Sequence, residues 1–124
     1  MNVLKVLRSF PHAFRGIQLA LRERNMQVHV LAVIVVTVSG ISLGISVLEW
    51  LIVMVCFSLV LSLETVNTAF ERVCNHLRDD LGLSYQATKD ARDIAAGAVL
   101  VAAIISVLVG IVIFVPRLLD LFVF

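Results

Sequence analysis

The sequence carries no surplus of charge: ten lysines and arginines stand against nine aspartates and glutamates, a formal net charge of +1. A nucleic-acid partner is recognised through neutralised phosphates, so the near-balance argues against one. Cysteine is equally scarce. Cys56 and Cys74 lie in or beside one apolar run and lack the close pairing of a metal or redox motif, which leaves them as packing residues. No Gly-x-x-x-x-Gly-Lys stretch occurs, so there is no P-loop. Nor is there an internal repeat, a low-complexity linker or, in 124 residues, room for a second domain. A cleaved export signal is not expected either. Such a segment has an apolar core of about 7 to 15 residues ending at small residues, and the first apolar run here is longer and starts later.

What the chain has in abundance is hydrocarbon. Its hydrophobic content is 60% and its mean hydropathy +1.04, against the roughly 45 to 50% apolar content of soluble domains. Three segments carry this apolarity. Gln27 to Leu48 holds no formal charge and a single histidine, His29. Trp50 to Leu63 is uncharged but shorter than the roughly 20 residues that cross about 30 Å of hydrocarbon, so its span must continue through Glu64 and on to Glu71. Ile94 to Val115 is uncharged throughout and stops at Pro116. Only helices and closed barrels satisfy their backbone polar groups in lipid. The expectation is an all-α membrane protein with transmembrane helices at about 27–48, 50–75 and 93–115. Trp50 has the place of an interface anchor, and Gly97 with Ala95, Ala96 and Ala98 that of a close helix contact.

The residues ahead of the first span form another kind of element. At 100° per residue, Val3, Val6, Leu7, Phe10, Ala13, Phe14, Ile17, Ala20 and Leu21 share one face, and Lys5, Arg8, His12, Arg15 and Arg22 the opposite one. This pattern predicts an N-terminal amphipathic surface helix over about 2–24 lying in the membrane interface, with a kink or fresh start near Ser9 because Pro11 lacks a backbone donor. The basic face either attracts anionic headgroups or holds nucleotide phosphates, and Arg15 is the candidate for the second role. Lysine and arginine flank the first span on its N-terminal side and surround the connection at about 76–92, whereas the link from Gly40 to Glu49 has none. By the positive-inside rule the N-terminus and that connection face the cytoplasm, and Arg117 and Asp120 face outward.

The stretch SLETVNTAFERVCNHL places carboxylates where the second span leaves its apolar run. On a helix, Glu64, Asn67, Thr68 and Glu71 share one face, with the two acids two turns or about 10 Å apart. A carboxylate at membrane depth costs on the order of 2 to 3 kcal/mol or more, so it is a functional candidate by default. A proton or cation path through a small ion-coupled transporter subunit is one use. A magnesium site handling phosphate is the other, since hard magnesium takes carboxylate oxygens and completes its shell with phosphates and waters. Lys89, Asp90, Arg92 and Asp93 bring cations and acids to the same membrane surface, a composition closer to a phosphate site than to a proton wire. His29, early in the first span, is taken as a polar group pairing with a neighbour.

The strings ETVNTAFE and RDIAAGAVL, with SFPHAFRG and ERNMQVH upstream, resemble the prokaryotic diacylglycerol kinase and undecaprenol kinase family from about Ser9 to Pro116. The resemblance implies a homotrimer in the bacterial cytoplasmic (inner) membrane. It also implies transfer of the γ-phosphate of ATP, with Mg2+, to the hydroxyl of a membrane lipid. Matched residue by residue, it makes Glu64 the catalytic base, Glu23 and Glu71 the magnesium carboxylates, and Asn67 and Asp93 further ATP-site residues. Arg92 stands where the family usually has lysine, and Asn75 where it usually has aspartate. Arginine keeps the charge and can grip phosphate bidentately, with a different reach. The spacing from Gly16 to Glu23 is one residue shorter than the family's usual. ERNM and AAGAVL lean toward the undecaprenol branch, while the residues give no physical route to the acceptor's chain length or headgroup.

Overall fold

The structure is a computed structural model, and it describes residues 6–122. Four helices follow one another: α1 (Phe10–Ala20), α2 (Arg24–Leu43), α3 (Val47–Leu81) and α4 (Tyr85–Asp120). No strand occurs among the described residues. α2, α3 and α4 are each long and apolar enough to cross a membrane, while α1 is the short amphipathic element. Val3 and Lys5, assigned to its two faces, lie outside the described residues. A turn at Arg8 and Ser9 precedes α1, and Pro11 sits in its first turn, where a missing backbone donor costs nothing. The fresh start near Ser9 is therefore present, and the surface helix ends at Ala20 rather than near residue 24.

Local chemistry sets the helix ends. α2 closes on Gly44 and α3 on Gly82, both left-handed (φ +63° and +68°), where a side chain would strain the backbone. Ser46 and Glu49 form a capping box at the start of α3: the Ser46 hydroxyl accepts from Glu49 N at 3.3 Å, and Ser46 N donates to Glu49 Oε2 at 2.7 Å. Ser84 Oγ accepts from Ala87 N at 3.3 Å and starts α4. The connection expected over about 76–92 is thus helical apart from Gly82–Ser84, and Lys89 lies within α4 rather than in a solvated loop. At 1.5 Å per residue α3 is about 52 Å long and α2 about 30 Å, so the longer helices overhang the membrane.

Pro116 does not end α4, which continues to Asp120. Pro116 removes the helical donor to the Val112 carbonyl, and Arg117 braces the turn beside it. Its Nη1 donates to the Ile113 carbonyl at 2.8 Å, and Nη1 and Nη2 grip Glu49 Oε1 and Oε2 at 2.8 and 2.7 Å. Backbone groups near a proline are held when a neighbouring side chain re-satisfies them. This fork ties the α2–α3 link to the far end of α4. Around it, Ile45, Val53 and Ile113 form a small core with Trp50 and Phe57 packed on it.

Two packing expectations change. Trp50 is not only an interface anchor: it lies across Gly40, so close that an added Cβ would sit 2.8 Å from Trp50 Cη2 and 3.1 Å from Ile45 Cδ1. Gly97, assigned the close contact, has nothing within 4 Å of that position in this chain. Gly40→Ala is accordingly expected to cost about 1 to 3 kcal/mol through overpacking, read as a lower thermal midpoint of the detergent-solubilised protein. An unchanged midpoint would show that the indole moves aside freely.

Candidate active site

Glu23 is the residue before α2. Its extended backbone would suit a helix cap, yet its side chain makes no capping bond. Instead Glu23 Oε1 accepts from Arg72 Nη2 at 2.8 Å across 49 positions of sequence. This ion pair seats the start of α2 beside the stretch of α3 that carries Glu71. Glu23 and Arg117 lie toward opposite ends of the bundle, so every other described lysine and arginine gathers on the Glu23 side.

Within α3, spacing does what the helix period requires. Glu64 and Asn67 are each 3% exposed and Thr68 6%, facing inward together, while Glu71 is half-buried one turn further on. Asn67 Nδ2 donates to Glu71 Oε1 at 3.3 Å. Asn67 Oδ1 is buried without a hydrogen-bond partner, an unusual state for a buried amide oxygen. Across the interface, His29 Nε2 approaches Glu64 Oε2 at 4.0 Å, which names the neighbour that the polar reading of His29 required. His29 is five residues into α2, about 8 Å along its axis, so Glu64 faces the first turns of α2 rather than its middle. The charges of Glu23 and Glu71 also reach Glu64. Beneath His29 an apolar cavity of about 220 Å³ runs between the three long helices, past Val33, Phe57, Val60 and Val107.

One further turn along α3, Asn75 Oδ1 accepts from Arg92 Nη2 at 2.9 Å. Arg92 Nε donates to Thr88 Oγ1 at 3.3 Å, and its guanidinium lies 5.2 Å from the Tyr85 ring centroid. The two positions that depart from the family's usual residues therefore touch each other. Glu64, Asn67, Glu71 and Asn75 follow one another at helical spacing along α3 as a polar ladder. In it Asn67 bonds Glu71 and Asn75 bonds Arg92, and Arg72, next to Glu71 in sequence, holds Glu23. Asp93 is exposed and pairs with Lys89 at 3.9 Å, one turn before it on α4. Arg15 is exposed on α1, with no ion-pair partner among the described residues. The ladder does not include Asp93 or Arg15. Arg72 and the His29–Glu64 approach escaped sequence reasoning. The one signal for His29 was a lone ionisable group in an otherwise uncharged span.

The donor set suits magnesium. Glu71 and Glu23 each commit one oxygen and keep the other free of hydrogen bonds from described residues, and Asn67, which bonds Glu71, has a buried oxygen without a partner. No cluster of three His, Cys, Asp or Glu side chains capable of holding a metal occurs among the described residues. Magnesium does not require one, because it is usually held by one or two carboxylates together with substrate phosphates rather than by an all-protein cage.

Three membrane-crossing helices with an acid-and-amide ladder at one end define a membrane protein with a built polar site. Comparison with known proteins assigns that architecture. The family described as prokaryotic diacylglycerol kinase matches residues 11–114. The chain is 39% identical over 115 residues to an undecaprenol kinase of Bacillus subtilis, covering 92% of this chain and 91% of that one. It is 36% identical over 120 residues to a diacylglycerol kinase of Synechocystis sp., covering 95% of this chain and 67% of the relative. No solved structure is significantly similar. The chain belongs to the prokaryotic diacylglycerol kinase family.

Proposed function

We infer that the protein transfers the γ-phosphate of ATP, bound with magnesium, to the hydroxyl of a membrane lipid of the undecaprenol or diacylglycerol kind. It acts as a homotrimer in the bacterial cytoplasmic membrane, with its N-terminus and site on the cytoplasmic side. The observation that carries this reading is the buried carboxylate of Glu64, facing His29 at the head of an apolar cavity. A lipid alcohol stays near the interface with its chain in hydrocarbon. A base that meets it must sit near the interface, and the position of Glu64 opposite the first turns of α2 supports that role.

In this reading Glu64 takes the proton of the lipid hydroxyl as its oxygen bonds to the γ-phosphorus of ATP and the bond from that phosphorus to the β,γ-bridging oxygen breaks, releasing ADP. Phosphoryl transfer asks mainly for positioning and charge neutralisation. Glu23 and Glu71 would hold magnesium, which when bound neutralises phosphate charge. Asn67 orients Glu71 through its amide N–H, Arg92 meets phosphate oxygens, and Asp93 and Arg15 border the nucleotide. The deciding experiment offers the purified protein labelled ATP with undecaprenol, diacylglycerol and ceramide in parallel. Label in one lipid identifies the acceptor. Label in none, together with ion flux in liposomes without ATP, would replace the kinase with the transporter alternative.

Glu71→Gln and Glu23→Gln are each expected to raise the magnesium concentration for half-maximal activity by several-fold, and excess magnesium should restore part of the rate by mass action. A magnesium titration at fixed ATP measures this. Unchanged curves for both variants would put the metal elsewhere.

A further inference from the structure

Four cations stand on α3 and α4 at the site end of the bundle, and three of them have carboxylate partners. Arg72 pairs with Glu23 at 2.8 Å, Arg78 with Asp79 at 2.7 Å and Lys89 with Asp93 at 3.9 Å. Arg92 has none within ion-pair distance among the described residues. Asp79 feels its charge but commits both oxygens to Arg78, at 2.7 and 3.3 Å. What holds Arg92 is neutral on every side: the Asn75 amide oxygen, the Thr88 hydroxyl and the face of Tyr85.

This arrangement is unlike an ordinary structural arginine. Side-chain hydrogen bonds from Nε and Nη2 fix the plane of the guanidinium while no acid cancels its charge, and Nη1 makes no hydrogen bond to described residues. An aromatic face adds an attraction that likewise leaves the positive charge in place. Asn75 lies one turn from Glu71, about 6 Å along α3. Arg92, held by Asn75, is thus tethered to α3 one turn beyond the carboxylate assigned to magnesium.

We propose that Asn75, Thr88 and Tyr85 form a neutral cradle that orients Arg92 toward the nucleotide phosphates without quenching its charge, with Asn75 as the residue that sets nucleotide affinity. The proposal rests on the reading of Arg92 as a phosphate contact. Asn75 and Thr88 are positioning residues, acting through Arg92 and not on the substrate. With arginine at 92 in place of the family's usual lysine, neutrality at position 75 is the point: an aspartate there would grip the planar guanidinium bidentately and compete with phosphate for it.

That competition gives a test whose sign separates the proposal from a purely structural role. Asn75→Asp should raise the KM for MgATP about 5- to 30-fold with kcat changed far less, because a carboxylate close to the guanidinium opposes phosphate binding. Asn75→Ala, which loses the tether but keeps the charge free, should raise KM less than Asn75→Asp does. Thr88→Val should resemble Asn75→Ala. If Asn75 only held the helices together, Asn75→Asp would form a stronger pair, raise the thermal midpoint and leave KM unchanged, and that result overturns the proposal. Arg92→Ala, measured alongside, separates the two levels: a mild effect there removes Arg92 as a phosphate contact, whereas a severe effect with a silent Asn75→Asp removes only the cradle. MgATP binding without lipid, followed by equilibrium dialysis, gives the same ranking independently of turnover.

Discussion

Glu64→Gln is expected to abolish lipid phosphorylation, lowering turnover by about 10²- to 10⁴-fold, the usual contribution of a positioned general base. The side chain is almost fully buried and faces His29 at 4.0 Å, so replacement by an amide of nearly equal volume leaves the packing in place. What the amide lacks is the capacity to take up the hydroxyl proton. MgATP binding and trimer assembly should stay close to wild type, because the carboxylates given to the metal are Glu23 and Glu71. Single-turnover transfer from labelled ATP measures the loss, and equilibrium binding of the nucleotide provides the control. Retention of a substantial fraction of wild-type turnover would remove Glu64 from the role of base.

Arg92→Ala should cost about 10- to 150-fold in kcat/KM, the equivalent of one charge-assisted hydrogen bond to phosphate. Arg92→Lys should retain much more, since an ammonium keeps the charge. It should still fall short of wild type, because lysine cannot reach Asn75 and Thr88 at once as the planar fork does. Lys89→Ala should be near wild type: the lysine is about half exposed and reaches only Asp93, at 3.9 Å, and exposed pairs of this kind contribute little. The opposite ranking, with Lys89→Ala severe and Arg92→Ala mild, would move the phosphate-binding cation one turn toward the start of α4.

The spans were legible because lipid dictates them: uncharged runs of sufficient length have few alternatives to crossing as helices. The helix ends were less legible. α4 starts at Tyr85 rather than near residue 93 because its first two turns lie among polar residues and send no hydropathy signal, although Gly82 and Ser84 mark the boundary on each side of Leu83. Likewise Pro116 is an incomplete stop when Arg117 can serve a carbonyl and an acid together. On α3 the site was readable as a period, since Glu64, Asn67 and Glu71 need only one helix to align. Its remaining contacts were not. Glu23 with Arg72, Arg92 with Asn75, and His29 with Glu64 each join different helices, and hydrophobic spacing carries no information about which polar residues will meet across such a seam.

α3 and α4 touch along far more of their length than α2 touches either of them, and this gives the chain an internal order of opening. The links at 44–46 and 82–84 are both three residues long, so loop closure favours neither pair of helices. What separates them is packing: α2 is held at its site end chiefly by Glu23 with Arg72 and by the approach of His29 to Glu64. The candidate site thus includes the seam of the most sparsely packed long helix, and local opening is cheapest where contacts are few. On warming, α2 can withdraw while the α3–α4 hairpin persists. Kinase activity should then disappear at a lower temperature than helical circular dichroism, and the gap between the two midpoints would measure how loosely that seam is closed.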